Sequence, residues 1–342
     1  MNIHINFAYR SFTWISESSD VAQVHCVIIG FSNFDEEEKF IYQDNNRIKV
    51  NNINGYLIDA DDIYVESCRN PICDVPRMIY GSFALDNGNY TFDEDIYHKI
   101  INKEPNIKKY IKLFLGADEF INKINRYCIW LKDADISEVR RSNILYERVK
   151  SVQEWRRKSD RLQTRKAAET PMLFAEIRQP NTDYLAIPIT SSQNRQYIPM
   201  GYISKDIIAS NHLFILPNAS LYHFGVLTSN IHMAWVRFNA GRRKSDYNYS
   251  ANIVYNNFVW CNPTEKQRQE IDQTAQKILD ARKLYPESSL ADLYNDILMP
   301  PELRKAHQAN DRAVMKAYGF DFKLTEAEIV AELMKMYQKL TS

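Results

Sequence analysis

Ser229-Asn230-Ile231-His232-Met233-Ala234-Trp235-Val236-Arg237-Phe238-Asn239 reads as a helix set among strands, and that mixture decides the fold class. Ile231, Ala234, Trp235 and Phe238 recur at the spacing of one helical face, and Asn230, Met233 and Arg237 fall together on the opposite one. Gly241 stops the helix. Around it the runs 184–190, 197–204, 212–216 and 222–227 are short and β-like, separated by Pro, Asn and Ser. Residues 171–262, opening at Pro171, are therefore expected to form a mixed α/β domain.

Beyond it, residues 263–342 carry helix signals throughout. Thr264-x-x-Gln267 and Thr325-x-x-Glu328 are capping boxes, Pro300-Pro301 opens a helix, and Gly319 closes one. Four amphipathic stripes there predict a small helical bundle. Upstream, 92–166 is helical in pattern, with Leu145, Val149, Val152 and Trp155 on one stripe, so 91–170 is expected to be a helical spacer. Residues 21–31, Val-Ala-Gln-Val-His-Cys-Val-Ile-Ile-Gly-Phe, form a nearly continuous apolar run that reads as a buried central strand.

The balance of charge is zero only on average. Residues 1–100 carry 16 Asp/Glu against 7 Lys/Arg, whereas 140–166 carry 10 Lys/Arg against Glu147, Glu154 and Asp160. That basic block includes Arg148, Arg156, Arg157, Lys158, Arg161, Arg165 and Lys166, and it can neutralise phosphates or line a solvated helix face. Five cysteines without a CxxC pair read as reduced thiols, and the N-terminus has no charged-then-apolar leader, so a cytoplasmic location is expected. No run reaches the ~18 apolar residues of a membrane helix.

Several chemistries lack their residues. The nine glycines include no GxG pair, and the seven histidines make no HExxH or comparable cluster. Neither Asn70-Pro71 nor Asn262-Pro263 continues into the Asn-Pro-Pro-aromatic element with which amino-methyltransferases hold the target amine. Glu37-Glu38-Lys39 has the acid-x-Lys form of a nuclease element, but such triplets are common and this one lies in an acidic loop.

Several collinear stretches decide the matter further: Phe7-Ala8-Tyr9-Arg10-Ser11-Phe12-Thr13-Trp14, Arg126-Tyr127-Cys128-Ile129-Trp130-Leu131, His232-Met233-Ala234-Trp235-Val236-Arg237, GRRKSDYNYS at 241–250 and Tyr255-Asn256-Asn257-Phe258. Through them nearly the whole chain resembles the C-terminal part of the MmeI-like single-chain restriction–modification enzymes. These join a nuclease, an adenine-N6 methyltransferase and a target-recognition domain. The resemblance implies that 1–90 is the end of a methyltransferase domain, 91–170 the spacer, 171–262 the target-recognition domain and 263–342 a C-terminal helical domain. It implies sequence-specific binding of double-stranded DNA, with no catalytic or metal-binding residue in this chain. S-adenosylmethionine and Mg would belong to upstream methyltransferase and nuclease domains of the same protein.

Within that resemblance, Asn230, Met233 and Arg237 are the candidates to meet base edges: Asn pairs with adenine, Arg with guanine, and an apolar tip meets a thymine methyl. The structural alternative is that Asn230 caps the helix and Arg237 pairs with a surface acid. Arg242, Arg243, Lys244, Ser245, Tyr247 and Tyr249 have the mixed donors that phosphate contacts use, and Ser191, Ser192 and Arg195 are further candidates. Phe12 and Trp14 are candidates to stack on a flipped adenine, or else are core rings. Two other functions stay open: a subunit whose basic helix docks an acidic protein partner, and the specificity-bearing half of a split methyltransferase.

Overall fold

The computed structural model describes residues 3–15, 23–43 and 46–341. The chain opens with a sheet of β1 (His4–Ile15), β2 (Gln23–Ser32), β3 (Lys39–Gln43) and β4 (Asn46–Val50), in the order β2-β1-β3-β4. β1 runs antiparallel to β2 and parallel to β3. The strand expected at the centre of a sheet is thus at its edge. Its residues Val27, Ile28, Ile29 and Phe31 are 40–65% exposed, and residues 21 and 22 lie outside the described residues. An apolar run specifies a strand but not which neighbours cover it. Here β1 takes the inner place because it pairs on both sides.

The next part contains β5 (Ile79–Tyr80), β6 (Thr91–Asp93), α1 (Glu94–Lys103), β7 (Ile111–Leu115), α2 (Ala117–Asn122), β8 (Arg126–Ile129), α3 (Ile136–Arg141), α4 (Asn143–Arg157) and α5 (Leu162–Lys166). The expected helical spacer is therefore free of strands only in its second half. Residues 91–129 carry three strands, each five residues or shorter, between helices. They find their partners across the sequence. β12 (Ile208–Ala209) pairs in parallel with β7 and completes a sheet ordered β12-β7-β8-β6.

The basic block is not a uniform surface. Arg156 is fully buried and donates to the carbonyls of Ala84, Leu85, Ala167, Thr170 and Leu173 at 2.8–3.4 Å. Arg148 donates to the Asn89 carbonyl and lies over the Phe92 ring. These two cations are structural, because backbone oxygens that no strand or helix satisfies need a donor when buried. Likewise Lys39 of the acid-x-Lys triplet is buried against Asp35 at 2.6 Å, and Glu38 pairs with Lys49.

The segment that follows has β9 (Tyr184–Pro188), β10 (Thr190–Ser191), β11 (Gly201–Ile203), then β12 and β13 (Leu213–Pro217). Next come α6 (Leu221–Leu227), α7 (Asn230–Asn239), β14 (Gly241–Arg243) and β15 (Asp246–Asn248). β9, β11, β13 and β5 form one sheet, order β11-β9-β13-β5. The run 222–227, expected as a strand, is the helix α6. A short run buried on every side carries no period to separate the two states. Packing against α8 (Glu265–Lys283) decides it, since a Cβ on Gly225 would stand only 2.7 Å from Ile271 Cγ2.

The last elements are α8, α9 (Leu290–Leu293), α10 (Pro301–Tyr318) and α11 (Glu326–Thr341). Both capping boxes form: Thr264 with Gln267, and Thr325 with Glu328. Gly319 caps α10 in the left-handed region at φ 73°. The expected bundle is not self-contained, however. α9 is a single turn, α8 packs on α6, and α11 packs on α7. One core unites Leu185 and Phe214 of the sheet, Phe224 of α6 and Trp235 of α7 with Ile271, Leu303 and Leu333 of the last three long helices. No helix among the described residues is long and apolar enough to cross a membrane.

Candidate nucleic-acid interface

β14 and β15 form an antiparallel hairpin, and β10 adds a third strand through Thr190–Asn248 and Ser191–Tyr247. Lys244 and Ser245 make the two-residue turn. Lys244 holds φ at 57°, a conformation that glycine adopts far more easily. Along β15 the side chains alternate: Tyr247, and Tyr249 just beyond the strand, are buried, while Asp246 and Asn248 face a groove. Arg243 and Lys244 line the same groove, with Ser192 and Arg195 from the segment after β10. Its far wall is Glu119 of α2, Arg126 of β8 and His212, and its volume is about 750 Å³.

Charge in the groove is mixed and partly fixed. Arg126 Nη1 lies 3.2 Å from Glu119 Oε1, and the Gln193 N–H donates to Asp246 Oδ1 at 3.2 Å. Burial lowers the pKa of Arg195, and the nearby Asp246 charge opposes that shift. Arg243 and Lys244, both exposed, have no carboxylate partner among the described residues. A two-stranded ribbon carrying cations, a carboxylate and an amide on one face offers donors and acceptors in a row.

The structure redistributes the sequence candidates. Ser192, Arg195, Arg243 and Lys244 come together in the groove, and Arg242 is exposed beside it, its guanidinium 4.0 Å from the Tyr247 ring centroid. Ser245 is half-buried in the turn. Three others do not fit their expected role: Ser191, Tyr247 and Tyr249 are buried. The Tyr249 hydroxyl pairs with His232 Nε2 at 3.0 Å, which ties the hairpin to α7.

Most of α7 is covered by protein. Its expected solvent face is covered by α10 and α11, and Met233 is 1% exposed. Ser229, not Asn230, is the N-cap of α7. The Asn230 N–H donates to Asp311 Oδ1 at 2.8 Å, and its side-chain amide lies against Met315. Arg237 pairs with Glu326 at 2.8 Å and donates to the Gln196 carbonyl, as its structural alternative held. The helical wheel gave two faces, and both meet protein. Asp246, Asn248, Arg126 and His212 were missed. For Asp246 and Asn248 the signal was the alternation with Tyr247 and Tyr249.

Phe12 and Trp14 do not share one environment. Phe12 is half-buried, whereas Trp14 is 61% exposed and so is not a core ring.

The junction between α7 and α10 supplies a pH test. Desolvation pushes the Asp311 carboxyl up to about 6, against hydrogen bonds from the Tyr197 hydroxyl and the Asn230 N–H and the charges of Arg312 and Arg237. An unfolded aspartate titrates near ~3.9. Between these values the unfolded chain gives up the proton first, so this group's contribution to stability falls as pH rises from about 4 to about 6 and then levels off. Asp311→Asn is expected to remove that fall. Urea unfolding of both proteins across this range checks it, and parallel pH profiles would refute it.

The hairpin thus stands beside a groove of mixed charge, with Tyr247 and Tyr249 packed behind it. The chain belongs to the MmeI family: residues 59–262 match the family model described as MmeI, target recognition domain. Residues 263–342 match MmeI, C-terminal domain, and residues 1–43 match MmeI, DNA-methyltransferase domain. The chain is 37% identical over 340 residues to DNA methyltransferase A of Bacillus subtilis (strain 168), covering 99% of this chain and 39% of that protein. It also matches a solved structure of the type IIL restriction-modification enzyme MmeI in complex with DNA. That match has 47% identity and a TM-score of 0.91, and covers 99% of this chain and 46% of that one. The chain thus spans less than half the length of either relative.

Proposed function

We propose that this chain recognises a particular sequence in double-stranded DNA on behalf of a restriction–modification enzyme, with the β14–β15 hairpin as its reading element. The observation that carries this reading is the hairpin face itself. Lys244, Asp246 and Asn248 project from alternate positions into one groove, beside Arg243 and Arg195. The major groove of B-DNA admits a two-stranded ribbon, where Lys and Asn can donate to base edges and Asp can accept from cytosine. Arg242 and Arg243 then fix register on phosphates. Holding a lysine at a left-handed φ has a conformational cost, and retaining it there is reasonable where its ammonium is needed.

Adenine-N6 methylation and cleavage belong, in this reading, to upstream domains of the same protein. In support, the nine glycines of this sequence include no GxG pair of the kind that cradles S-adenosylmethionine. Nor does any group of three His, Cys, Asp or Glu among the described residues suit a metal ion. The exposed apolar face of β2 is suited to packing against such a domain, and Trp14 on the adjacent β1 is available to stack on a base.

The test is selection of bound duplexes from a random-sequence pool, with Lys244→Gly and Arg243→Ala in parallel. Lys244→Gly relieves the left-handed φ and so keeps the turn. It is expected to relax one base position, by the ~1–3 kcal/mol of a well-made base pairing, roughly five- to 150-fold. Arg243→Ala should weaken all duplexes alike. A wild-type chain that enriches no motif at low salt would refute the reading.

A further inference from the structure

We propose that Arg157, Lys158, Arg161, Arg165 and Lys166, from the end of α4 through the turn to the end of α5, form a second DNA-binding surface. It holds the phosphate backbone away from the reading hairpin and carries no sequence information. The proposal rests on the DNA-recognition reading above and names a site outside the groove.

All five side chains are exposed, within ten residues that contain a single acid, Asp160. None of the five is in an ion pair among the described residues. Some surface cations elsewhere are paired, as in Lys109–Glu138 and Lys316–Glu270 at 2.6–2.7 Å, and others such as Arg243 and Lys244 are not, so what marks this stretch is its density of like charge. Glu154 and Glu169 flank the turn and pair with none of the five.

The turn concentrates the charge. Arg165 Nη1 donates to the carbonyls of Ser159 and Asp160, both at 2.8 Å, which folds α5 back over the end of α4. Beneath it, Arg156 binds carbonyls of 84–85 on one side and 167–173 on the other, so the cations project from a fixed frame. Clustered like charges repel, and a counter-charge that relieves this must itself be multiple. A phosphate backbone is such a partner, and a rigid frame lowers the ordering cost of meeting it. The stretch holds no aromatic residue and a single amide, Gln163, so its exposed donors are chiefly cations of the kind that meet phosphates.

The test uses the full chain with all five residues replaced (R157Q, K158Q, R161Q, R165Q, K166Q). A second variant, R157K/R161K/R165K, keeps the charge. Affinity for the selected target and for a random duplex is measured across a salt series, and thermal melting confirms the fold. The glutamine variant is expected to flatten the plot of log affinity against log salt by about 0.9 for each phosphate it no longer neutralises. It should weaken target and random duplex by the same factor, roughly tenfold or more at low salt, while the lysine variant keeps the wild-type slope. An unchanged slope overturns the proposal, and is also what a surface for an acidic protein would give. A weakening confined to the target overturns it too. A wild-type chain that binds duplex without sequence preference overturns the hairpin reading while leaving this one standing. One that binds no duplex at low salt overturns both.

Discussion

Arg156→Met is expected to destabilise the chain by several kcal/mol, more than any surface substitution in the same basic block. The guanidinium is fully buried and satisfies five backbone carbonyls drawn from two separate stretches. Methionine fills much of the volume but donates nothing. Leaving even two of those oxygens buried without a donor costs about 2–6 kcal/mol, at roughly 1–3 each. Arg156→Lys should recover only part of the stability, because an ammonium cannot reproduce the planar fork that spans Ala84, Leu85 and Ala167. Urea unfolding followed by circular dichroism reads the difference. A methionine variant with the wild-type midpoint would mean the carbonyls find other donors, and the clamp would lose its meaning.

The second large effect is expected at Gly225, where α6 meets α8. A Cβ at this position would lie 2.7 Å from Ile271 Cγ2, 3.0 Å from Asn310 Oδ1 and 3.2 Å from Ala275 Cβ. Gly225→Val must therefore push the helices apart or move Asn310. Asn310 donates to the Gly225 carbonyl at 2.7 Å and accepts from Thr274 at 3.1 Å, so moving it breaks a buried network as well. Overpacking of this kind costs typically 1–3 kcal/mol, and the broken network adds to that. Gly225→Ala, with a smaller side chain, should be less destabilising. Equal melting temperatures for the wild type and the valine variant would show that the helices adjust without strain.

Local chemistry was legible where it acts within one turn of chain. The capping boxes at Thr264 and Thr325, the stop at Gly319 and the helix from Asn230 were all readable because their partners lie three or four residues away. What covers each face was not. Met233 and Arg237 read as a free face because the sequence does not show that α10 and α11 return to cover it. The run 222–227 was misread as a strand for the same reason, since a helix surrounded by protein has no polar stripe. In the candidate site the cations of 242–244 stood out, whereas Asp246 and Asn248 needed the strand period to be followed past the turn. Arg156 is the clearest limit. Among ten basic residues nothing marks the one that is buried, because its partners are carbonyls that every residue has.

The single core shared by the sheet, α6, α7 and the last helices has a practical meaning for transplanting specificity between relatives. A chimera joined at 262/263 would set one parent's Trp235 and Phe224 against another parent's Leu333 and Ile271, and every mismatch in volume would fall inside the graft. The better seam lies near residues 57 and 58. Leu57 belongs to the small core of the first sheet with Ala8 and Ile41, and Ile58 belongs to the large one. A cassette running from there to the end of α11 would travel with its own interior intact.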